Sequence, residues 1–377
     1  AVSFAVGLFS YQSARLFIPI LIFGLIIIYR KQIKYSRYLL LSAVILLVSG
    51  LLTAFLLFGL GQSNRLAAMN FFAYQRSVEE VNQIAFEDGL NKDNIHFQIL
   101  HGEWWSYVRG LFERYFIYYA PKMLFVDGDY NPRHSLPDVG PLYYFSIVLV
   151  PLGIIYLLKY KKGNLIFFWL FTASLPAVFS RDLISLFRAL NMVLPVIVLE
   201  GIGLYSLITI LKQKTGRLFY VSIALLIMVI VFNFLIFLDQ YFIHARREYS
   251  EFWLYGYKPM ISDLMKIKDK YNKVVITDSW GQPYIYYLFY TKYPPADFQK
   301  QAVLDQPTVD VGTVRKIDNV DLRHIYWPSD RGLKNSLFVG TPDELPDQDV
   351  LPFKEFKTLG QINFLDGETA FRMVETR

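Results

Sequence analysis

Cysteine is absent from the 377 residues, histidine numbers five, and charged side chains make up only 19% of the chain. Without cysteine there is no disulfide, no thiolate nucleophile and no cysteine-ligated metal, and the chain carries no redox mark of its compartment. The five histidines are scattered, so zinc-ligand spacing is missing, as are a Walker loop, a dinucleotide fingerprint and a nucleophile elbow. Soluble domains carry about 25% charged residues; the deficit here points to lipid as part of the solvent. Nucleic-acid binding is excluded by distribution: the net charge of +6 comes largely from basic residues in short loops between apolar runs, not from a basic groove.

What is present is apolar and aromatic. Hydrophobic residues make up 54%, with 32 Phe and 27 Tyr, and the mean hydropathy is +0.31. Residues 39–60 are uncharged over a length of about 33 Å as a helix, enough to span the hydrocarbon core. Residues 141–158, 164–180, 189–211 and 218–238 form further apolar runs, and 189–211 encloses Glu200. Between residues 1 and 29 the run is interrupted by YQSAR, read as a corner between two spans. One continuous helix would instead place Arg15 at mid-bilayer, at a cost of roughly 2.5–3.5 kcal/mol. The opening AVSFAVGLFS has no initiator Met and no basic segment with a cleavage site, so it reads as the interior of a longer chain.

Charge sets the sidedness. Loops 30–37, 159–162 and 212–217 are basic and contain no acidic residue. Placing all three in the cytoplasm requires the spans between them to come in pairs: 39–60 with 141–158, then 164–180 with 189–211. The corner at 11–15, the segment 61–139, the loop 181–188 and everything after residue 240 then lie on the outer side. Segment 61–139 holds seven Lys or Arg against ten Asp or Glu, which fits that side. Within it, residues 104–125 interleave aromatics with Arg109, Glu113 and Arg114. That pattern suits a helix lying in the interface or packed over the bundle.

After residue 240 the periodicity changes. Residues 251–270 read as a helix, KVVITD (273–278) as a buried strand, PYIYYLFY (283–290) as a helix and SLFVG (336–340) as a strand. FLDGETAFRMVE reads as a hairpin turning at Asp366-Gly367. The expected architecture is an all-α membrane bundle of about six full spans plus a partial one over residues 1–239. A small soluble extracytoplasmic α/β domain follows over 240–377.

Three clusters carry candidate chemistry. YQSARLFIP places Tyr11 and Arg15 at an outer corner, where a guanidinium either forks onto a phosphate or snorkels to headgroups. VDGDYNPRH groups Asp127, Asp129, Arg133 and His134 where the outer segment re-enters the membrane. These residues suit a substrate contact or plain turn chemistry, and two carboxylates are too few for a hard-cation site. SRDLISLFR sets Arg181, Asp182 and Arg188 at the surface, as a phosphate cradle or as headgroup anchors. Glu200, inside a span, is either functional or bonded to a neighbouring helix.

At these strings the chain resembles bacterial members of the GT-C superfamily, those related to dolichyl-phosphate-mannose protein mannosyltransferases and to the aminoarabinose lipid A transferase. The resemblance rests on YQSARLFIP, VDGDYNPRH, the Arg188 region leading into LPVIVLEGIGLYSL, and VVITDSWGQPYIYYLFYTKYPPADFQ at 274–299. It implies transfer of a sugar from a polyprenyl-phosphate donor to a glycan, lipid or protein acceptor on the outer face of a cell membrane. No cofactor is expected, a divalent metal at Asp127 and Asp129 being the disfavoured alternative. The family's catalytic Asp or Glu lies on a first outer loop with no counterpart in this sequence. No catalytic base is therefore assigned, and this stretch alone is expected to be inactive. An oligosaccharide transferase shares the membrane architecture, but its Trp-Trp-Asp signature is missing: Trp104-Trp105 is followed by Ser106. A transporter would show repeats and interrupted helices, and a scaffold would use its exported domain to bind a partner.

Overall fold

The computed structural model describes residues 1–59, 70–73, 76–213, 216–304 and 313–377. Leu60 of the expected span 39–60, residues 61–69 of the expected outer segment and Lys214 of a basic loop lie outside the described residues. The chain divides into two compact units, Ala1–Leu238 and Asp239–Arg377.

The first unit is helical. Helices α1 (Val2–Ser10) and α2 (Gln12–Tyr29) are separated by Tyr11, whose backbone is extended at φ −151°, ψ 150°. The corner is thus a single residue, and α2 starts at Gln12, earlier than the polar string suggests. Helix α3 (Arg37–Ala54) begins where the Ser36 hydroxyl accepts the Leu39 amide at 3.2 Å, and a π-turn extends it to Gly59. Short helices α4 (Val78–Glu87) and α5 (Ile95–His101) lead to α6 (Glu103–Ile117), which stops shortly before Pro121. Helices α7 (Ser146–Lys159), α8 (Asn164–Ala173), α9 (Val193–Lys212) and α10 (Arg217–Asp239) follow.

Among the described residues, four helical stretches are long and apolar enough to cross a membrane: Gln12–Tyr29, Arg37–Gly59, Leu190–Lys212 and Arg217–Glu248. Only 6% of the apolar window in the second and fourth is buried within the fold, leaving surfaces that water would not tolerate. The other two expected spans are shorter. The run at 141–158 becomes helical only from Ser146, since Pro141 to Phe145 form turns and Asn233 Oδ1 accepts the Tyr144 amide at 2.7 Å. The run at 164–180 breaks at Ser174, ahead of Pro176 and the turn Leu175–Val178.

Helices α7 and α9 meet backbone to backbone. A Cβ added to Gly203 would stand 1.9 Å from the Leu149 carbonyl oxygen, and one added to Gly153 would stand 2.1 Å from that of Leu199. Without a hydrophobic drive between helices in lipid, such close approach through small residues is what holds them together. Between the same helices, the Ser146 hydroxyl donates to Glu200 Oε1, so the carboxylate expected inside a span is bonded to a neighbouring helix.

Among the described residues, the second unit forms a mixed seven-stranded sheet. Its strands are β1 (Lys273–Ile276), β2 (Val303–Leu304), β3 (Val314–Ile317), β4 (Val320–Leu322), β5 (Ser336–Gly340), β6 (Phe356–Asn363) and β7 (Thr369–Thr376), in the order β2-β3-β4-β1-β5-β7-β6. Strand β1 is parallel to both β4 and β5, and the remaining pairs are antiparallel. Val274, Val275 and Ile276 are fully buried, as a central parallel strand covered on both faces requires. One face packs α11 (Tyr257–Leu264) and α12 (Pro283–Thr291) through Met260, Ile261, Leu264 and Tyr287. The other packs Ile325, Trp327, Leu345 and Val350.

The expected helix at 251–270 is reduced to α11, preceded by turns in which Leu254 takes φ +57°. The hairpin turns through three residues rather than two: Phe364 pairs with Glu368, and Gly367 supplies the left-handed position at φ +103°. Strands β2, β3 and β4 have no counterpart in the sequence reading, because VRKI and VDL are too short and polar to stand out.

Packing at Gly203 gives a direct test. Gly203→Val should lower the thermal midpoint of the detergent-solubilised protein, by roughly 1–3 kcal/mol of stability or more. Gly201→Ala, where an added Cβ meets nothing within 4 Å, should leave it unchanged. Equal melting of both variants would refute close α7–α9 packing.

Candidate functional site

Two loops of the first unit, 126–134 and 180–188, are locked together by Asp129. Its side chain is 1% exposed. Oδ1 accepts the Asn131 amide at 2.9 Å, closing an Asx turn, while Oδ2 accepts the Leu186 amide at 2.9 Å and lies 3.0 Å from His134 Nδ1. Gly128 allows this turn because it sits at φ +67°, where a side chain would also strike Ser135 Oγ. The His134 ring then packs edge-on against Phe187, with centroids 4.8 Å apart.

Helix α6 and its exit hold the second loop from beneath. The Arg114 guanidinium donates to three successive carbonyls, those of Ser180 (3.0 Å), Arg181 (3.1 Å) and Asp182 (2.7 Å). The fully buried Tyr118 hydroxyl accepts the Ser185 amide at 2.7 Å. Burial, opposed by that amide and reinforced by Asp129, pushes the Tyr118 phenol up to about 12. Burial lowers Arg114 below its ordinary value, against the nearby Tyr118, Asp182 and Glu113. The opposite face of α6 presents Trp105, Phe112 and Phe116, all exposed.

The remaining loop residues have partners of their own. Asp127 pairs with Lys122 at 2.8 Å on the surface, and Arg188 pairs with Asp182. Arg133 and Arg181 are exposed, and the Arg133 amide is bonded to Asn131 Oδ1 at 3.0 Å. Asp127 and Asp129 do not converge on a common point: one faces solvent, and the oxygens of the other are filled by N–H donors.

Arg15 lies elsewhere in the unit. Its Nε donates at 3.2 Å to the Leu8 carbonyl, one of the last of α1, so the cation satisfies a helix C-terminus across the Tyr11 corner. Among the described residues it makes no ion pair. It lines a groove of about 590 Å³ between α2 and α3 whose other walls are apolar, including Ile18, Ile22, Phe23, Leu47 and Phe58. Tyr11 is exposed at the corner. None of Arg133, His134 and Arg188 lines this groove. Two organising residues escaped the sequence reading. Arg114 and Tyr118 stand four apart on one helical face within ERYFIYY, a spacing that marks them as neighbours but not what they hold.

The lock predicts a division between the two carboxylates. Asp129→Ala strands the half-buried Leu186 amide and should cost about 1–3 kcal/mol, read as a lower thermal midpoint. Asp127→Ala removes only a surface ion pair and should cost no more than about 1 kcal/mol. Equal, small effects would show that the loops do not depend on Asp129.

No family model, no curated protein and no solved structure matches this chain.

Proposed function

We propose that this protein is a membrane glycosyltransferase that uses a polyprenyl-phosphate-linked sugar and acts on the extracytoplasmic face. The observation that carries the reading is the groove between α2 and α3, which is apolar along its walls and bordered by the cationic Arg15. An isoprenoid chain needs an apolar, lipid-accessible track, and its phosphate needs a cation at one end; guanidinium keeps its charge beside lipid and forks onto phosphate oxygens. The resemblance of the 11–19, 126–134 and 180–195 strings to GT-C transferases supports the same donor.

On this reading α7 and the helical stretch Asn164–Val178 complete six spans as short crossings of about 21–23 Å, accommodated by local thinning of the bilayer. The three basic loops then face the cytoplasm, and the second unit lies outside. The exposed aromatic face of α6 rests in the headgroup layer. The loops held by Asp129 form a stiff frame presenting Arg133 and Arg181 at the outer surface. The catalytic base is assigned to no residue of this chain. Glu200 and Asn233, the deep polar groups that a transporter would use, are instead engaged with Ser146 and with the Tyr144 amide.

Binding tests this without turnover. With the protein in nanodiscs and undecaprenyl phosphate as the probe, Arg15→Ala should weaken binding by about ten- to a hundredfold, the loss of one charge-assisted contact of roughly 1.5–3 kcal/mol. Arg188→Ala, whose guanidinium is already paired with Asp182, should weaken it less. Unchanged affinity in Arg15→Ala would overturn the assignment of the groove.

A further inference from the structure

The second unit carries a crevice that its topology creates. After β1 the chain turns to one face of the sheet to form α12, whereas after the adjacent parallel β4 it turns to the other face, where Ile325 and Trp327 pack. Loops leaving neighbouring strands in opposite directions open a gap at the carboxyl ends of those strands, and this is where open α/β sheets bind ligands. A cavity of about 520 Å³ occupies that place, within the usual size range of small-molecule sites.

The walls of the cavity are braced by internal pairs. Asp321 is held by Lys273 at 2.7 Å, and Arg323 is gripped by both oxygens of Asp330 at 2.7 and 2.9 Å. Behind them, the buried Glu344 gathers the ends of all three parallel strands, accepting from Thr277 Oγ1 (2.8 Å), the Ile325 amide (2.9 Å) and the Thr341 amide (2.9 Å). The loop after β1, with Asp278 next to Thr277, is therefore fixed rather than free to collapse into the gap.

Against that braced background, three polar side chains at the cavity are uncommitted. Asp278, Gln282 and Lys316 all line it, and none makes a side-chain hydrogen bond or ion pair with another described residue. Tyr284 adds an aromatic ring, lying parallel to Phe298 with centroids 6.4 Å apart. Arg315, Lys316 and Arg323, balanced by Asp278 and Asp321 and joined by an amide and an aromatic ring, make a lining of mixed sign rather than the uniformly cationic one of a simple anion site. They suit a molecule rich in hydroxyls that both donate and accept, with apolar C–H faces to lie on a ring.

We propose that this crevice binds a neutral carbohydrate unit, through Asp278, Gln282 and Lys316 to hydroxyls and Tyr284 to a sugar face. On the transferase reading, on which this role rests, it is a holding site for a glycan acceptor. Carbohydrate binding itself is independent of that reading.

The experiment is saturation-transfer NMR on the full chain in nanodiscs, titrated separately with D-mannose, N-acetyl-D-glucosamine, D-galactose and inorganic phosphate. At least one sugar should bind saturably, with a dissociation constant on the order of 1 mM. Asp278→Ala and Gln282→Ala should each weaken it about tenfold or more at unchanged thermal midpoint, and phosphate should not displace it. Arg15→Ala should leave sugar binding intact, so loss of the donor assignment and loss of this one are read separately. Absence of saturable binding by all three sugars would overturn the proposal, as would equal affinity in both variants or displacement by phosphate. Should Asp278→Ala unfold, Asp278→Asn with Gln282→Ala provides the same comparison.

Discussion

A buried carboxylate has to be surrounded by donors, and in the first unit that requirement shapes everything around the two outer loops. Asp129 is buried, and its oxygens are served by two backbone amides and an imidazole drawn from both loops. To deliver the Leu186 amide, the 180–188 loop must run across the 126–134 loop at one height. That height is set from α6 by the Arg114 guanidinium on three carbonyls and the Tyr118 hydroxyl on Ser185. The 180–188 loop also contributes Ile184 to an apolar cluster with Met123, Ala177 and Val178. Fixed backbone leaves the outward side chains, Arg133 and Arg181 among them, standing on a stiff support.

Within the helices the constraint is different. An apolar environment offers no water to rescue a stray polar group, so each deep one finds a partner: Ser146 for Glu200, the Tyr144 amide for Asn233, and helix carbonyls for Thr53 and Thr172. Arg15 obeys the same rule at the Tyr11 corner by taking a carbonyl that α1 would otherwise leave unsatisfied. A corner one residue long, with a cation reaching back over it, is a compact way to reverse course beside lipid.

How much of this was legible in the residues depends on the range of the interaction. Long apolar runs announce helices, and Gln12–Tyr29, Arg37–Gly59 and Leu190–Lys212 follow them closely. The break at Tyr11 is visible because polar residues interrupt a run, and β1 because KVVI is β-branched and uninterrupted. The late start of α7 is not visible, since Tyr143 to Phe145 are as apolar as the helix they precede and yield to a bond from Asn233, 89 positions away. The role of Asp129 is equally hidden. DGD is turn chemistry and ligand chemistry alike, and only the Leu186 amide, 57 residues on, decides how its second oxygen is used. The edge of the sheet formed by β2, β3 and β4 fails to register because short polar strands gain their order from pairing rather than from pattern.

The position of β7 in the sheet bears on how the second unit is assembled. It lies between β5 and β6, so the strand nearest the end of the described chain is interior to the sheet rather than an edge. Until it docks, β5 presents an open row of amides and carbonyls, and Phe338 and Val339 lack the cover of Val374 and Met373. Strand β6, whose only neighbour is β7, has nothing to pair with at that stage. Closure of the sheet therefore waits on the β5–β7 pairing, which is distant in sequence, and half-made forms expose a sticky edge. A substitution in β7 therefore acts on the interval before the sheet closes as well as on the finished molecule.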